Sequence, residues 1–370
     1  TSQRHPAGTC PPRSPRPPSP HPPMRCAALV VSLLRSTSAF AIFPSRLVNT
    51  TSGLPSGLQT DALTLVLPAR TQDQGGYPRL TTLMRSLTKF LDPAMVAVML
   101  LIIPDRDVST FARHAAFQRL PWPLRTVPDS SILSKNESQF DRVMPPEERH
   151  PQGRGTNYRM QMLTKLKISF MVNTTFYLVL DCDVLATRKV TFDDLVPGGR
   201  ALIVGESFPY RRHQLRWWEA ANRILQADGC VTRGSWGRNR VIGVTPALLA
   251  TAISRALVGR VASLHGGGPL GPRVEWDEAL VELRKSGGQQ HDWTEYTLYW
   301  TQACLSGLAD VLHTPQSSLR LYEESAFDWG AWQSWDASRA FHDESFVFTV
   351  IQSIGGVNPS WVDRQVRPYL

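Results

Sequence analysis

Two spacings of apolar residues alternate along the chain from about residue 60 onward. Residues 62–67 form a leucine-rich run with Val66 that stops at Pro68, and Gly75 and Gly76 mark a polar turn after it. Residues 79–90 then carry apolar side chains three and four apart, so strand, loop and helix are expected in that order. Residues 95–103 are almost wholly apolar and end at Pro104 and Asp105, the pattern of a strand covered on both faces. Two such strands around a helix predict a parallel βαβ unit. Residues 121–128 and 145–155 read as irregular, and between them the signal for a third short strand is poor.

Helical spacing returns over 158–171, through Met162, Leu166 and Phe170. After Asn173, Thr174 and Thr175 the chain enters a buried strand at 176–180 and ends in an acidic tip, Asp181-Cys182-Asp183. Further strands are expected at 201–204 and 241–245, and helices at 214–226, 246–258 and 276–285. Residues 261–272 read as a glycine-rich loop, and a late apolar run occupies 346–351. No internal repeat is visible.

The chain has 370 residues with 42% hydrophobic and 19% charged, a balance that excludes a disordered or fibrous protein. No stretch reaches 18 clean apolar residues, which excludes a multi-span membrane protein. The net charge of +9 invites a nucleic-acid reading, but Arg4, Arg13, Arg16, Arg25 and Arg35 all precede residue 42, where no acidic residue or lysine occurs. Setting these five aside leaves +4 on the body, with no dense basic run, so no nucleic-acid partner is expected.

The stretch through Pro23 is rich in Pro, Arg and Ser and is expected to lie outside the fold. From Met24 the order is Arg25, an apolar run at 26–34, Arg35, then a small-residue close at Ala39 and Ala41. That is the pattern of a secretory signal peptide with the true start at Met24, and it predicts a lumenal or secreted protein, with the Golgi lumen as one destination. An organelle transit peptide is the alternative address. Membrane contact is expected only if the segment is retained as an anchor. The division expected is a leader over 1–41, a Ser/Thr/Pro/Gly-rich linker over 42–60 and one large domain over 61–370. Sequons at Asn49, Asn136 and Asn173 agree with a lumenal route and a glycoprotein. Past residue 41, Cys182, Cys230 and Cys304 form no Cys-x-x-Cys pair; structural zinc is disfavoured, and a Cys230 to Cys304 disulfide is allowed but not demanded.

An Asp-x-Asp at the C-terminal end of a hydrophobic strand sits where open α/β sheets bind ligands. In an extended stretch the side chains at i and i+2 point the same way, so Asp181 and Asp183 can share one hard cation, Mg2+ or Mn2+. The plainer alternative is a turn with a capping carboxylate. The surrounding order decides between them: Gln161 and Lys165 on the preceding helix, the strand-borne Asp181 and Asp183, a helix bearing Trp217 and Trp218, and the segment Trp293-Thr294-Glu295-Tyr296. In these elements the sequence resembles the GT-A glycosyltransferases over roughly 60–355, and within them a family of unknown function described as glycosyltransferase-like.

The resemblance implies a GT-A-like mixed sheet, mainly parallel and flanked by helices, in a single large domain. It implies a metal-dependent glycosyltransferase with a UDP- or GDP-sugar as donor and a carbohydrate, glycoprotein or other hydroxyl acceptor. Asp181 and Asp183 would bridge the donor diphosphate through Mn2+ or Mg2+, with His342 as a late third ligand, since imidazole suits Mn2+. Arg70, Gln161 and Lys165 are the candidates for donor contacts. Glu295, or Asp292 just before it, is the candidate general base, although Thr294 as N-cap and the helix dipole give both carboxylates a structural reason to be there. Trp217, Trp218, Trp329, Trp332 and Trp335 are candidates for stacking on sugar faces, against ordinary packing. Two other readings stay open: a haloacid-dehalogenase-type phosphotransferase, which also places Asp-x-Asp after a strand, and a non-catalytic carbohydrate-binding protein on the same fold.

Overall fold

The first long apolar run pairs on both sides, and this sets the architecture. In the computed structural model, β1 (Gln59–Pro68) lies parallel to β2 (Val96–Ile103) on one side and to β4 (Thr174–Val179) on the other, with Leu65 opposite Met99 and Leu178. β3 (Leu124–Pro128) extends the sheet beyond β2, and β9 (Ala247–Ala250) closes its other edge antiparallel to β4. The strand order is therefore β3-β2-β1-β4-β9. Leu63, Leu65, Val66, Leu67 and every residue of β4 are buried, as strands covered on both faces require. Thr64 is buried among them without penalty, because its hydroxyl and amide both meet the Thr174 hydroxyl, at 2.9 and 3.1 Å.

The structure describes residues 57–370 apart from 71–75, 115–116, 118, 144–153, 208–214, 228–229, 231–238, 242–244, 268–273, 288–291, 316–318, 328–329 and 354–355. The leader, most of the linker, Asn49 and Trp329 lie outside these. The described residues belong to one compact unit, Asn49–Leu370. Among them no helix is long and apolar enough to cross a membrane.

In chain order, α1 (Gly76–Phe90) joins β1 to β2, α2 (Val108–Ala112) joins β2 to β3, and α3 (Glu137–Val143) and α4 (Arg154–Lys167) lead into β4. β5 (Val184–Ala186), α5 (Phe192–Leu195), β6 (Ala201–Leu202), β7 (Gly205–Ser207), α6 (Leu215–Leu225) and β8 (Asn239–Val241) precede β9. The remainder is α7 (Thr251–His265), α8 (Trp276–Gly287), α9 (Glu295–Leu305), α10 (Ala309–Leu312), β10 (His313–Thr314), β11 (Arg320–Tyr322), α11 (Ala337–His342), β12 (Phe346–Val350) and α12 (Pro359–Val366). A second sheet, β11-β12-β5, adjoins the first through the short turn from β4 to β5. The expected class, a mixed and mainly parallel α/β sheet flanked by helices, is the one observed.

Three expectations change. Residues 124–128 form a regular strand, because β2 offers Met99 to Ile103 as a parallel partner and the pairing outweighs a weak local signal. The helix expected from 246 starts at Thr251 instead: Ala247-Leu-Leu-Ala250 has helix-forming side chains, but β4 captures it as an edge strand. α7 also runs on to His265, into the segment read as a loop. Of the strand expected at 241–245, Val241 closes β8, and 242–244 lie outside the described residues. Cys230 and Cys304 are joined in a disulfide.

Leu65 has no exposed surface and faces neighbours from two strands. Leu65→Ala is therefore expected to cost about 2–5 kcal/mol, read as a lowered denaturant midpoint at unchanged slope in chemical unfolding; a loss under 1 kcal/mol would contradict the central placement of β1.

Candidate active site

The order β3-β2-β1-β4 reverses direction between β1 and β4, so the crevice beyond their C-terminal ends is where an open sheet of this kind accepts a ligand. Ladder pairing continues one residue past β4, with the Leu180 amide donating to the Val66 carbonyl at 2.8 Å. Then the chain turns: the Val184 amide donates to the Asp181 carbonyl at 3.1 Å. Asp181 and Asp183 thus sit in a tight turn rather than on an extended tip, and their carboxylates take different partners.

Asp181 faces α4. Both its oxygens lie near the Lys165 ammonium, at 3.1 and 3.2 Å, and about a third of its side chain (32%) stays exposed. Asp183 faces the C-terminal part of the chain. One of its oxygens accepts the Ser353 amide at 2.8 Å, and its own carbonyl accepts the Ile351 amide at 3.0 Å. Burial pushes the Asp183 carboxyl up from its usual range, the negative charge of Asp181 pushes it further, and the Ser353 amide and the Arg79 charge only temper this. A carboxylate raised by burial and by a neighbouring carboxylate suits a hard dication as counter-charge. Among the described residues no group of three or more His, Cys, Asp or Glu could hold a metal.

Lys165 is buried in the middle of this arrangement. Besides Asp181, its Nζ donates to the Thr245 hydroxyl at 3.1 Å and lies 3.3 Å from Glu295 Oε1. Burial works against the ammonium, but Asp181 and Glu295 outweigh it and hold Lys165 protonated well above its usual range. Glu295 opens α9, where Thr294 caps the helix by accepting the Thr297 amide. Its side chain is only 4% exposed, and burial raises its carboxyl, with Lys165 opposing. Glu295 therefore faces a cation rather than an open surface.

Beside the turn, the ends of β1, β2 and β3 line a small cleft. Its walls are Pro68, Ala69, Ile102, Ile103 and Pro104; its polar groups are Arg70, Asp129, Gln161 and Thr164, alongside Met160. Arg70 is buried, donates to Asn157 and pairs with Glu137 at 3.3 Å. Asp129, at the end of β3, is also buried, and its carboxyl is pushed up to about 6 chiefly by that burial. Asp129 and Thr245 are not marked as site residues by any motif in the sequence. Asp129 follows a strand that was itself read as irregular, and Thr245 reaches Lys165 only through tertiary packing.

Other expected site residues stand elsewhere. Asp292 is a tether: it accepts from Arg159 at 2.7 Å and from the Trp217 indole at 3.0 Å, with Arg216 Nε at 3.3 Å. Burial would raise its carboxyl, but these donors and the charge of Arg159 hold it below the usual range. Both carboxylate oxygens of Asp292 are thus engaged by neighbouring donors. His342 does not join the acidic turn. It precedes β12, whose antiparallel register sets Val350 against Val184, so His342 lies at the far end of that strand from Asp183. It is exposed there, bonded to Ser338 and edge-on to Tyr369. Trp218 is buried, while Trp332 and Trp335 pack on Trp361 at ring distances of 5.2 and 6.2 Å; packing, not sugar stacking, accounts for all three.

Fold and site together define a mixed α/β protein with an acidic turn at the switch point of its sheet. The chain belongs to DUF6492, a family of unknown function, which it matches over residues 60–370. No curated protein sequence matches it significantly. Among solved structures it is similar to mouse xyloside xylosyltransferase 1 in its apo form, with 11% identity and a TM-score of 0.42, over 80% of this chain and 100% of that one. It is also similar to core-mannan synthase A from Aspergillus fumigatus in its Mn/GDP form, with 12% identity and a TM-score of 0.39, over 69% of this chain and 72% of that one. Likeness at this level assigns no activity.

The raised Asp129 carboxyl makes a signed prediction. Its folded value of about 6 exceeds the ordinary 3.8, so the native state takes up a proton first as pH falls, and the cost of the ionised form builds between these two values and is complete above about pH 6. Asp129→Asn is expected to be more stable than wild type at pH 7.5, by roughly 1–3 kcal/mol. The two should converge by about pH 4. Urea unfolding of both proteins across this range checks it; a constant difference would contradict the assignment.

Proposed function

We propose that the chain is a glycosyltransferase of the GT-A type, moving a sugar from a nucleotide-sugar donor to a hydroxyl on a carbohydrate or glycoprotein. The observation that carries this reading is the position of the Asp181-Cys182-Asp183 turn, at the C-terminal end of β4 and beside the cleft lined by Arg70, Asp129 and Gln161. The walls of that cleft are apolar and its rim carries both charge signs, the lining of a small-molecule site.

Asp181 and Asp183 would hold a divalent cation, Mn2+ or Mg2+, which when bound neutralises the charge that builds on a diphosphate leaving group. In the transfer the acceptor oxygen bonds to the anomeric carbon and the bond from that carbon to the diphosphate breaks. The nucleoside diphosphate departs with the electron pair, and the hydroxyl proton passes to a phosphate oxygen or water. The protein's part is to position the two substrates and to complement the charge that develops. A secretory-route location belongs to the same proposal. It is supported by the leader pattern at 24–41 and by the Cys230–Cys304 disulfide, a bond that persists in oxidising compartments.

Calorimetry with UDP and GDP, with and without Mn2+, is expected to show cation-dependent binding of at least one nucleotide. Asp183→Asn should weaken that binding by roughly tenfold or more while keeping the wild-type circular dichroism. Undiminished cation-dependent binding in the variant would remove Asp183 from the site, and no nucleotide binding by wild type would overturn the functional reading itself. For the location, N-terminal sequencing of protein recovered from its own cells is expected to begin near Ile42; a cytosolic protein retaining Arg25 would refute it.

A further inference from the structure

The ammonium of Lys165 has three protons to donate, and three acceptors meet it: the Asp181 carboxylate, Glu295 Oε1 and the Thr245 hydroxyl. Lys165 is therefore fully engaged within the protein, with its side chain 5% exposed. It is not held out toward a substrate phosphate. Glu295 is buried against the same ammonium. Arg79, also near the turn, gives its terminal nitrogens to the carbonyls of Ile351 and Val357, at 3.0 and 2.9 Å.

A lysine bonded to a carboxylate competes with any metal ion for that carboxylate's charge. Without another anion nearby, the whole positive charge of Lys165 would fall on Asp181 and make it a poor ligand for a dication. Glu295 supplies that second anion, with its Oε1 3.3 Å from the ammonium.

We infer that Glu295 is a positioning residue acting through Lys165: its carboxylate cancels the lysine charge, so that Asp181 and Asp183 keep the negative charge a divalent cation needs. This inference rests on the proposed cation-assisted function and gives Glu295 a role distinct from that of a general base. The Lys165–Glu295 pair acts as a neutral unit beside the acidic turn. Removing one member should harm cation binding, and removing both should restore it.

The test is calorimetric titration of MnCl2 in the presence of whichever of UDP or GDP the wild type binds, on Glu295→Gln and on the double variant Lys165→Met/Glu295→Gln, with melting temperatures measured on the same samples. Glu295→Gln is expected to weaken Mn2+ affinity on the order of tenfold, and the double variant should return to within about threefold of wild type, the non-additivity that marks a coupled pair. If Glu295→Gln binds Mn2+ within about threefold of wild type, the inference is overturned. A double variant no better than Glu295→Gln overturns it as well. Should Glu295→Gln fail to fold, the double variant decides alone: affinity within about threefold of wild type supports the neutral pair, and a larger loss rejects it. Failure of wild type to bind Mn2+ with nucleotide would instead strike the functional reading beneath it.

Discussion

A lysine ammonium taken out of water costs several kcal/mol unless it is paired and hydrogen-bonded, and the buried Lys165 organises much of this structure by that requirement. Its partners come from separate parts of the chain: Asp181 from the turn after β4, Thr245 from the approach to β9, and Glu295 from the first turn of α9. The Tyr177 hydroxyl donates to the Lys165 carbonyl at 3.0 Å and meets Ser254 of α7 at 2.7 Å, fixing α4 to the sheet and to its neighbouring helix. The side chain that the ammonium requires and the backbone that carries it are thus secured by different elements.

Arg159 and Lys165 both project from α4, and Asp292 and Glu295 both stand at the start of α9. Two ion pairs, Arg159 to Asp292 and Lys165 to Glu295, therefore join the same two segments. They do different work. The first is closed on itself by Trp217 and by the carbonyl of Trp293, which Arg159 also reaches at 2.7 Å. The second stays connected to Asp181, whose side chain is the partly exposed member of the set. The arginine pair anchors α9 so that the lysine pair can be placed accurately next to the acidic turn, a support that a site on two packed elements needs.

How much of this could be read from the sequence depended on whether local pattern or tertiary pairing decided each residue. β1, β2 and β4 were legible because a strand buried on both faces leaves an unbroken apolar run, and α1, α4, α6 and α8 because one buried face leaves helical spacing. β9 was not, since Ala247-Leu-Leu-Ala250 becomes a strand only by lying against β4. In the site, Asp181, Asp183, Lys165, Gln161, Arg70 and Glu295 could be chosen from motif and order, yet the direction each side chain faces could not. His342 shows the limit. Its distance in sequence from β12 is short, but only the antiparallel register of β12 with β5 reveals that it stands at the wrong end of the strand.

The acidic turn is also completed from the far end of the chain. Asp183 receives the Ser353 amide, its carbonyl receives the Ile351 amide, and Arg79 of α1 holds the carbonyls of Ile351 and Val357. α12 returns onto α1, where Asp363 pairs with Arg85 at 3.0 Å. The two carboxylates of one short turn are therefore governed by two independent supports: Asp181 by the α4–α9 ion pairs, Asp183 by the docking of β12 and the segment after it. Because a carboxylate pair suits a shared ligand only when both members are in place, the geometry of the turn reports on the folding of the whole domain, from β1 to the last helix, rather than on the residues around the motif alone.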